Sequence, residues 1–298
     1  MADQFIKTIT KNKYFRAFAL NGTNLVRQAT AAHETSRLAS VVLGRGLLAT
    51  SLTAQSVLKG EERMSIQING RGPIGNVVVE ADAKGSVRGY VTNDKLAPIF
   101  DDNNQLDVAQ AVGTNGFLQI TKFAPYSNPY IGQSQLISGE IGDDFTYYLA
   151  QSEQIPSVVG VSVYMNDDDS VKSAGGFLVQ ALPDATDEAI DQLEVDLKNM
   201  KSLSDMLIEN YTPLKILEAI FGEGEVEILQ VAGVGLAAEP TKDAYREMLT
   251  TLPAGEIQAM IDEDHGAEIV GKFSGKRYFF TPEELQDVIL EINANNAD

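Results

Sequence analysis

One apolar helix near the N-terminus constrains the fold more than any other segment. From Ser36 to Leu58 the chain reads SRLASVVLGRGLLATSLTAQSVL, within a stretch, residues 24–58, that has a helical pattern throughout. The apolar residues cover more than one face of a helix, so we expect this helix to be buried on most sides. Gly44 and Gly46 lower its intrinsic stability and indicate close packing in its middle. Such a helix needs layers of other structure around it.

Strand patterns flank this helix on both sides. Two short strands are predicted in the first segment, which the turn signal Asn21-Gly22 closes. The segments MSIQIN, NVVVEAD and SVRGYVTN predict an antiparallel meander, and GFLQITKF, YIGQSQLIS, VVGVSVYM and GGFLVQAL predict four more strands. DDFTYYLAQSEQ is predicted to be a helix, with Asp143 and Asp144 where the helix dipole favours acids. The predicted fold class is α+β, a layered β-sheet domain around the buried helix.

The pattern changes after Leu182-Pro183. Residues 184–206 are acidic and predict an amphipathic helix, because apolar residues recur at helical spacing on one face. A short helix, PLKILEAIFG, is predicted to end at Gly222, and EVEILQVAGV is predicted to be extended.

The last segment, from about Thr241, predicts two short helices, a hairpin and a final helix. Thr281 and Glu284 form a capping-box pattern at the start of that final helix. The chain thus divides into an N-terminal core domain (1–182), a helical linker (183–234) and a small α/β C-terminal module (235–298).

Composition excludes several classes of function. The chain contains no cysteine, which rules out disulfides, thiolate catalysis and cysteine-ligated zinc. The formal net charge of −19 disfavours nucleic-acid binding, although the first sixty residues are basic and predict a basic face. No apolar run has the ~20 residues of a membrane span, and the start MADQFIK has no secretory pattern. We therefore expect a cytoplasmic protein that binds neither nucleic acid nor membrane.

Candidate catalytic motifs are weak. The segment from Gly70 to Gly75 matches G-x-G-x-x-G, but a strand follows it where a dinucleotide site needs a helix, so we interpret it as a tight turn. His33 and His265 lack the partners of a zinc or triad motif, and no G-x-S-x-G is present. The acid clusters 101–102 and 167–169 lack calcium-loop spacing and are interpreted as solvated turns. No enzyme activity and no cofactor is predicted.

Long segments match, in order and along nearly the whole chain, the pattern of a known protein family. They are LGRGLLAT, NGRGPIGNVVVEAD, ISGEIGDDFTYYLAQSEQIPSVVGVSVYM, AGGFLVQALPDATDEAIDQLE and LPAGEIQAMIDEDHGAEIVGKFSGKRYFFTPEEL. The chain resembles the heat shock protein 33 family of redox-regulated holdases. The resemblance implies a core of strands around a buried helix, a helical linker and a C-terminal module. In that family the module holds zinc through C-x-C and C-x-x-C pairs, and oxidation releases the zinc and unfolds the linker.

This chain departs from the family pattern at the zinc ligands. The resemblance places the four ligand positions at Ala238, Pro240, Gly271 and Ser274. None of these residues supplies a thiolate or an imidazole, so no metal is expected and the thiol switch of the family does not carry over.

The interpretation is an ATP-independent holdase that binds unfolded polypeptides without zinc or thiol control. Apolar residues of the linker helices, together with the core that they cover, are the candidate client-binding surface: Ile190, Leu193, Leu197, Met200, Met206, Leu207, Leu214, Ile216, Leu217, Ile220 and Phe221. The alternative is a dedicated interaction protein on the same fold, which would serve one partner and not many. An enzyme is the third alternative, and a homodimer stays open.

Overall fold

The structure is a computed structural model, and it describes residues 3–295. The strands, in chain order, are β1 (Gln4–Thr10), β2 (Phe15–Asn21), β3 (Arg63–Asn69), β4 (Val77–Asp82), β5 (Ser86–Val91), β6 (Phe117–Phe123), β7 (Tyr130–Gln135), β8 (Ser157–Met165), β9 (Val171–Ala181), β10 (Val226–Gly233), β11 (Gly235–Leu236), β12 (Ala267–Val270) and β13 (Arg277–Phe280). The helices are α1 (Thr23–His33), α2 (Arg37–Val57), α3 (Val108–Val112), α4 (Gly142–Ser152), α5 (Asp187–Asn199), α6 (Leu203–Ile208), α7 (Pro213–Phe221), α8 (Lys242–Leu249), α9 (Ala254–Asp264) and α10 (Pro282–Asn295). This mixture confirms the predicted α+β class.

Two compact units make up the chain, with the break between Ala237 and Ala238. The first unit contains a five-stranded sheet of order β10-β1-β2-β9-β8 and a six-stranded sheet of order β11-β5-β4-β3-β6-β7. The residues of the predicted linker, 183–234, lie within this unit. The division into core, linker and C-terminal module stays a prediction about which parts act separately.

Helix α2 lies between the two sheets of the first unit. It packs against β8 and β9 on one side and against β4 and β5 on the other. Gly44 allows α2 to approach α1 and β8 closely, because a Cβ atom at Gly44 would lie 2.7 Å from Val26 Cγ1 and 2.8 Å from Val163 Cγ2. On the other side, a Cβ atom at Gly46 would lie 3.1 Å from Val77 Cγ1. The prediction of a buried helix with close packing at its glycines is confirmed.

The helical prediction for residues 24–58 missed an interruption. Helix α1 ends at His33, the next residue, Glu34, adopts a left-handed conformation with φ 49°, and α2 begins after Ser36. The Ser36 N–H donates to the Asp94 carbonyl oxygen (2.8 Å), and its hydroxyl donates to the Leu96 carbonyl oxygen (2.6 Å). These contacts with a distant loop fix the extended backbone that separates the two helices.

The glycine-rich segment from Gly70 to Gly75 is a turn between β3 and β4, as predicted. The Gly72 N–H donates to the Val112 carbonyl oxygen at 2.9 Å. A Cβ atom at Gly70 would lie 2.0 Å from the Gly113 carbonyl oxygen, so only glycine fits this approach of two backbones. The residues serve packing between main chains, and β4 follows where a nucleotide site would need a helix.

The prediction of one helix over residues 184–206 was also wrong in its continuity. Helix α5 ends at Asn199, and Met200 has an extended backbone. The Ser202 hydroxyl then accepts a hydrogen bond from the Asp205 N–H (3.1 Å) and caps a separate short helix, α6. A side-chain cap of this kind competes with continuation of the preceding helix.

The second unit contains α8, α9, the β12–β13 hairpin and α10. Its core consists of Leu249, Ile257, Tyr278, Phe280, Leu285, Val288, Ile289 and Ile292. The predicted capping box of α10 is present: the Thr281 N–H donates to Glu284 Oε2 (2.9 Å), and the Glu284 N–H donates to Thr281 Oγ1 (3.3 Å).

Candidate functional site

The outer face of the five-stranded sheet carries an apolar cluster that α5, α6 and α7 cover. Alternation along β2 separates the two faces of the sheet: Phe18 and Leu20 belong to the core around α2, whereas Phe15, Ala17 and Ala19 face the opposite way. The sheet side of the covered cluster consists of Ile6, Phe15, Ala17, Ala19, Phe177 and Val179. We call this face, together with the helix residues packed on it, the covered surface.

The structure brings ten of the eleven predicted client-binding residues into the covered surface. Buried on the helix side are Leu193, Leu207, Ile216, Leu217 and Ile220; partly buried there are Ile190, Leu197, Met200, Leu214 and Phe221. Met206 is fully buried in α6 but lies outside this cluster. The sequence prediction named no sheet residue; the apolar alternation of Phe15, Ala17 and Ala19 marks one face of β2 but does not tell which element covers it.

Helix α7 is the most firmly packed of the three covering helices. Ile216 and Leu217 are completely buried, and Ile220 is 2% exposed. The ring of Phe221 lies 5.8 Å, between centroids, from the ring of Phe15 on β2. Thr212 caps the start of this helix by accepting a hydrogen bond from the Lys215 N–H at 3.3 Å.

Helix α5 is packed more loosely. Leu193 is its one buried residue, and Val195 is 47% exposed. A cleft of about 260 Å³ opens beside the helix, lined among others by Phe15, Val158, Ile190 and Leu193. The helix carries five acids against Lys198, so like charges repel one another along it. Helix α5 thus has less apolar burial and a higher density of like charge than α7.

Polar contacts at α6 are few. The hydroxyls of Ser204 and Ser162 lie 2.7 Å apart and join α6 to β8. Lys201 forms an ion pair with Glu209 across this short helix, and the hydrogen bond to Glu209 raises the pKa of the Lys201 ammonium. An exposed pair of this type contributes little to stability. Apolar burial therefore holds the helices α5–α7 on the sheet.

Three basic residues of the N-terminal segment bind groups of their own unit. Arg37 forms an ion pair with Asp169 at 2.6 Å, and Arg45 pairs with Glu140. Arg27 Nε donates to the Val171 carbonyl oxygen at 2.7 Å. These contacts give three of the eight cations in residues 1–60 a partner within their own unit.

The acid clusters and the histidines lie at turns and helix ends. Asp101 and Asp102 lie in a turn in which the Asp101 carboxylate accepts main-chain hydrogen bonds, and residues 167–169 lie between β8 and β9. His33 ends α1, and His265 follows α9. Among the described residues, no three histidine or acidic side chains are grouped so that they could hold a metal ion.

The four positions that the resemblance equates with zinc ligands do not fit a zinc ion. A Cβ atom at Gly271 would lie 2.8 Å from each of three oxygens: Glu239 Oε1, Ser274 Oγ and the Tyr245 hydroxyl. These groups fill the space that a side chain at Gly271 would need. They provide one carboxylate and two neutral hydroxyls, whereas structural zinc sites use four cysteine or histidine ligands. The C-terminal unit therefore has to be held together by its own side chains.

No helix within residues 3–295 is both long enough and apolar enough to cross a membrane.

Comparison with known proteins identifies the family. A family model described as "Hsp33 protein" matches residues 3–281. The "33 kDa chaperonin" of Lactiplantibacillus plantarum is 48% identical over 289 residues, which cover 97% of this chain and 98% of the relative. The protein of the same name from Staphylococcus carnosus is 40% identical over 292 residues, or 98% of this chain and 99% of the relative.

A solved structure agrees with these sequences. The crystal structure of the 33 kDa chaperonin (heat shock protein 33 homolog) of Thermotoga maritima superimposes with a TM-score of 0.88 at 33% identity, covering 98% of this chain and 99% of that chain. Family model, sequence relatives and three-dimensional structure thus agree over nearly the full length. The chain belongs to the Hsp33 family of chaperones, as a member that contains no cysteine.

Proposed function

We propose that this chaperone is an ATP-independent holdase, which binds unfolding polypeptides on the covered surface after the linker helices are released. The observation that carries the proposal is the apolar outer face of the five-stranded sheet, which α5–α7 cover. Unfolding proteins expose apolar segments, and a broad apolar surface of a folded domain can bind them without sequence specificity. The division of roles into core (1–182), linker (183–234) and C-terminal module (235–298) is part of this proposal.

Release of the linker begins at α5 in this mechanism. Helix α5 buries one residue, Leu193, whereas α7 buries Ile216, Leu217 and Ile220 together with Pro213. Opening free energies within a protein differ by region, and the region with the least apolar burial opens first. Lifting α5 exposes Phe15 and Val179 on the side where they line the cleft beside this helix, while α7, whose Phe221 also contacts Phe15, still covers the rest of the face.

Heat, and not an oxidant, is the trigger that we propose. The chain has no cysteine, so peroxide finds no thiol to oxidise. Local opening of a weakly packed helix increases with temperature, because the conformational entropy that is gained counts for more as temperature rises. If α5–α7 open only on heating, the apolar face beneath them is exposed for less time and causes less self-association.

The test follows the aggregation of two unrelated heat-labile enzymes by light scattering, without nucleotide, in dithiothreitol and in peroxide. We expect both clients to be protected, with activity that rises with temperature and does not differ between the two redox conditions. Activity that appears only after peroxide at a fixed temperature would replace heat control by a methionine-based switch. Protection of neither client would favour the dedicated-partner alternative on the same fold.

A further inference from the structure

The strand β10 forms one edge of the five-stranded sheet. It pairs with β1 on one side, and no strand of residues 3–295 pairs with its other side. An open edge strand presents unpaired main-chain donors and acceptors to which another extended chain can add. Natural proteins usually protect such edges with charges, proline or short length. The segment VEILQVAG is eight residues long and has no proline; Glu227 is its one charged residue, and a bulge interrupts its pairing with β1.

The register shows which main-chain groups of β10 are unpaired. The Lys11 N–H donates to the Glu225 carbonyl oxygen at 3.0 Å, just before the strand. Hydrogen-bonded and non-hydrogen-bonded pairs alternate in an antiparallel ladder, so the next bonded pair is Ile9 with Glu227. Ile228, which pairs with Thr8, is then in a non-bonded position and directs its N–H and C=O toward the open edge.

The side chains of β10 extend the covered surface into solvent. Val231 pairs with Ile6, which belongs to the covered surface, and Ile228 pairs with Thr8 two residues further along the same face of β1. The exposed fractions are 49% for Ile228, 54% for Leu229 and 53% for Val231. The register shift between Lys7 and Thr8 leaves Leu229 as the extra residue of a bulge. Three neighbouring aliphatic side chains are therefore accessible while α5–α7 remain in place.

Charge determines the kind of chain that fits this edge. Glu223, Glu225 and Glu227 are exposed at the start of β10. The whole chain has a formal net charge of −19, which opposes the approach of a second copy. An extended segment with apolar residues at alternate positions and lysine or arginine at its ends complements both the aliphatic side chains and the acidic rim.

We propose that β10 is the first binding site for clients, where an extended apolar segment with basic flanks adds to the sheet as a sixth strand. This inference rests on the proposed holdase function and deepens it by naming the client segment and its mode of binding. The site is accessible while α5–α7 are docked, and it borders the surface that release of these helices exposes. A client held at the edge is thus already next to the covered surface when α5 lifts.

The probe is a fluorescent peptide about as long as β10, with alternating valine and threonine and two lysines at each end. Its binding to the full chain is measured by anisotropy at a temperature where α5–α7 stay docked, and its position is measured by amide exchange. The test variant is Ile228→Thr/Val231→Thr, which keeps strand propensity and charge. The matched control is Ile131→Thr, since Ile131 is 60% exposed on β7, the edge strand of the other sheet.

We expect the amides of residues 226–233 to be protected from exchange when the peptide is bound. The double variant should bind the peptide about tenfold more weakly, and the control variant should bind it as tightly as wild type. A peptide N-methylated at alternate residues should not bind, and higher ionic strength should weaken binding. Protection on β7 or on α5–α7 instead of β10, or equal binding of the N-methylated peptide, would overturn the inference. Protection of β10 that depends on protein concentration, without peptide, would point to a second copy and overturn it as well.

The aggregation assay separates this inference from the function on which it rests. If the wild-type chain suppresses aggregation on heating but the peptide does not protect β10, the edge-strand inference alone fails. If the wild-type chain suppresses no aggregation at any temperature, the holdase function fails and the inference fails with it.

Discussion

The hydroxyl of Tyr278 donates a hydrogen bond to the main-chain carbonyl oxygen of Pro240, at 2.7 Å. The bond joins strand β13 to the segment before α8. The ring of Tyr278 also packs on the ring of Tyr245, with centroids 4.8 Å apart. The resemblance places the paired zinc ligands in the segment before α8, at Ala238 and Pro240, and in the loop between β12 and β13, at Gly271 and Ser274. In this chain a tyrosine pair and its hydrogen bond make the connection that the metal would make.

Replacing Tyr278 by phenylalanine should destabilise the C-terminal unit. The side chain is 7% exposed, so the Pro240 carbonyl loses a partner that water replaces poorly. We expect the free energy of opening of residues 242–295, measured by amide exchange in the full chain, to fall by about 1 kcal/mol. Tyr164→Phe, at a residue 41% exposed in the first unit, is the control and should leave these amides unchanged. Equal protection in Tyr278→Phe and wild type would contradict this account.

Removing metal ions should leave the C-terminal unit intact. Structural zinc contributes about 10–16 kcal/mol of apparent binding free energy to small zinc-folded modules, and chelators unfold them. Here the side chains of Glu239, Tyr245 and Ser274 converge on Gly271, and eight buried residues form a core. We expect amide protection in residues 242–295 to be the same before and after treatment with EDTA. Elemental analysis of untagged protein that gave about one zinc per chain would contradict the prediction.

The buried carboxylate of Asp144 should be essential for the start of α4. Its Oδ1 accepts hydrogen bonds from the N–H groups of Ile137 (2.7 Å) and Ser138 (3.1 Å), and its Oδ2 accepts one from Ile141 (3.2 Å). Asparagine would place an NH2 group against a main-chain N–H. We expect Asp144→Asn to lower the free energy of unfolding by about 1–3 kcal/mol in urea denaturation. Asp143→Asn, at the exposed neighbour, should change it by much less, and equal losses in the two variants would refute the role of the buried hydrogen bonds.

Stability should decrease at alkaline pH because of Tyr148. Burial raises the pKa of its phenol well above the ordinary value, and the charge of Glu153, whose carboxylate accepts the phenol hydrogen bond at 3.1 Å, adds to the shift. The folded state therefore retains this proton more tightly than the unfolded state. Below a pH of about 10 both states are protonated and the contribution is complete; above that, the unfolded state releases the proton and unfolding is favoured.

The corresponding variant is Tyr148→Phe. Its free energy of unfolding should fall less steeply than that of wild type as the pH rises above about 10, measured by urea denaturation at each pH. Tyr126→Phe, at a fully exposed tyrosine, should keep the slope of the wild-type protein. A parallel decrease in Tyr148→Phe and wild type would show that other groups cause the alkaline loss.

Local periodicity was sufficient to predict most elements of this fold. The apolar pattern of α2 and the alternation in β3, β4 and β5 are properties of short segments, and the structure has the elements where these patterns predict them. The break after Glu34 was not predictable in this way, because Ser36 takes its hydrogen-bond partners from Asp94 and Leu96, about sixty residues away. Interruptions fixed by distant loops leave little trace in local sequence.

The helix side of the candidate site was predictable from amphipathicity, whereas the sheet side was not. Phe15 and Phe18 are both apolar, and nothing in β2 alone tells which of its two faces lies against α2 and which under the linker helices. The groups around Gly271, which the resemblance equates with a zinc-ligand position, could not be predicted either. Glu239 and Tyr245 reach Gly271 only because the chain returns through the β12–β13 hairpin.

Introducing a charge at Leu217 should release the linker without heat. Leu217 is completely buried against the sheet in α7, and a carboxylate there has no partner, so Leu217→Glu makes the docked state unfavourable by several kcal/mol. We expect this variant to suppress aggregation of a chemically unfolded client at low temperature, to the level that wild type reaches only on heating. Ala219→Glu adds the same charge to an exposed position of the same helix and should behave as wild type. Amide exchange verifies the cause, since residues 187–221 should lose protection in Leu217→Glu while α2 keeps it. If the helices open but the low-temperature activity stays at the wild-type level, the surface beneath them is not where clients bind.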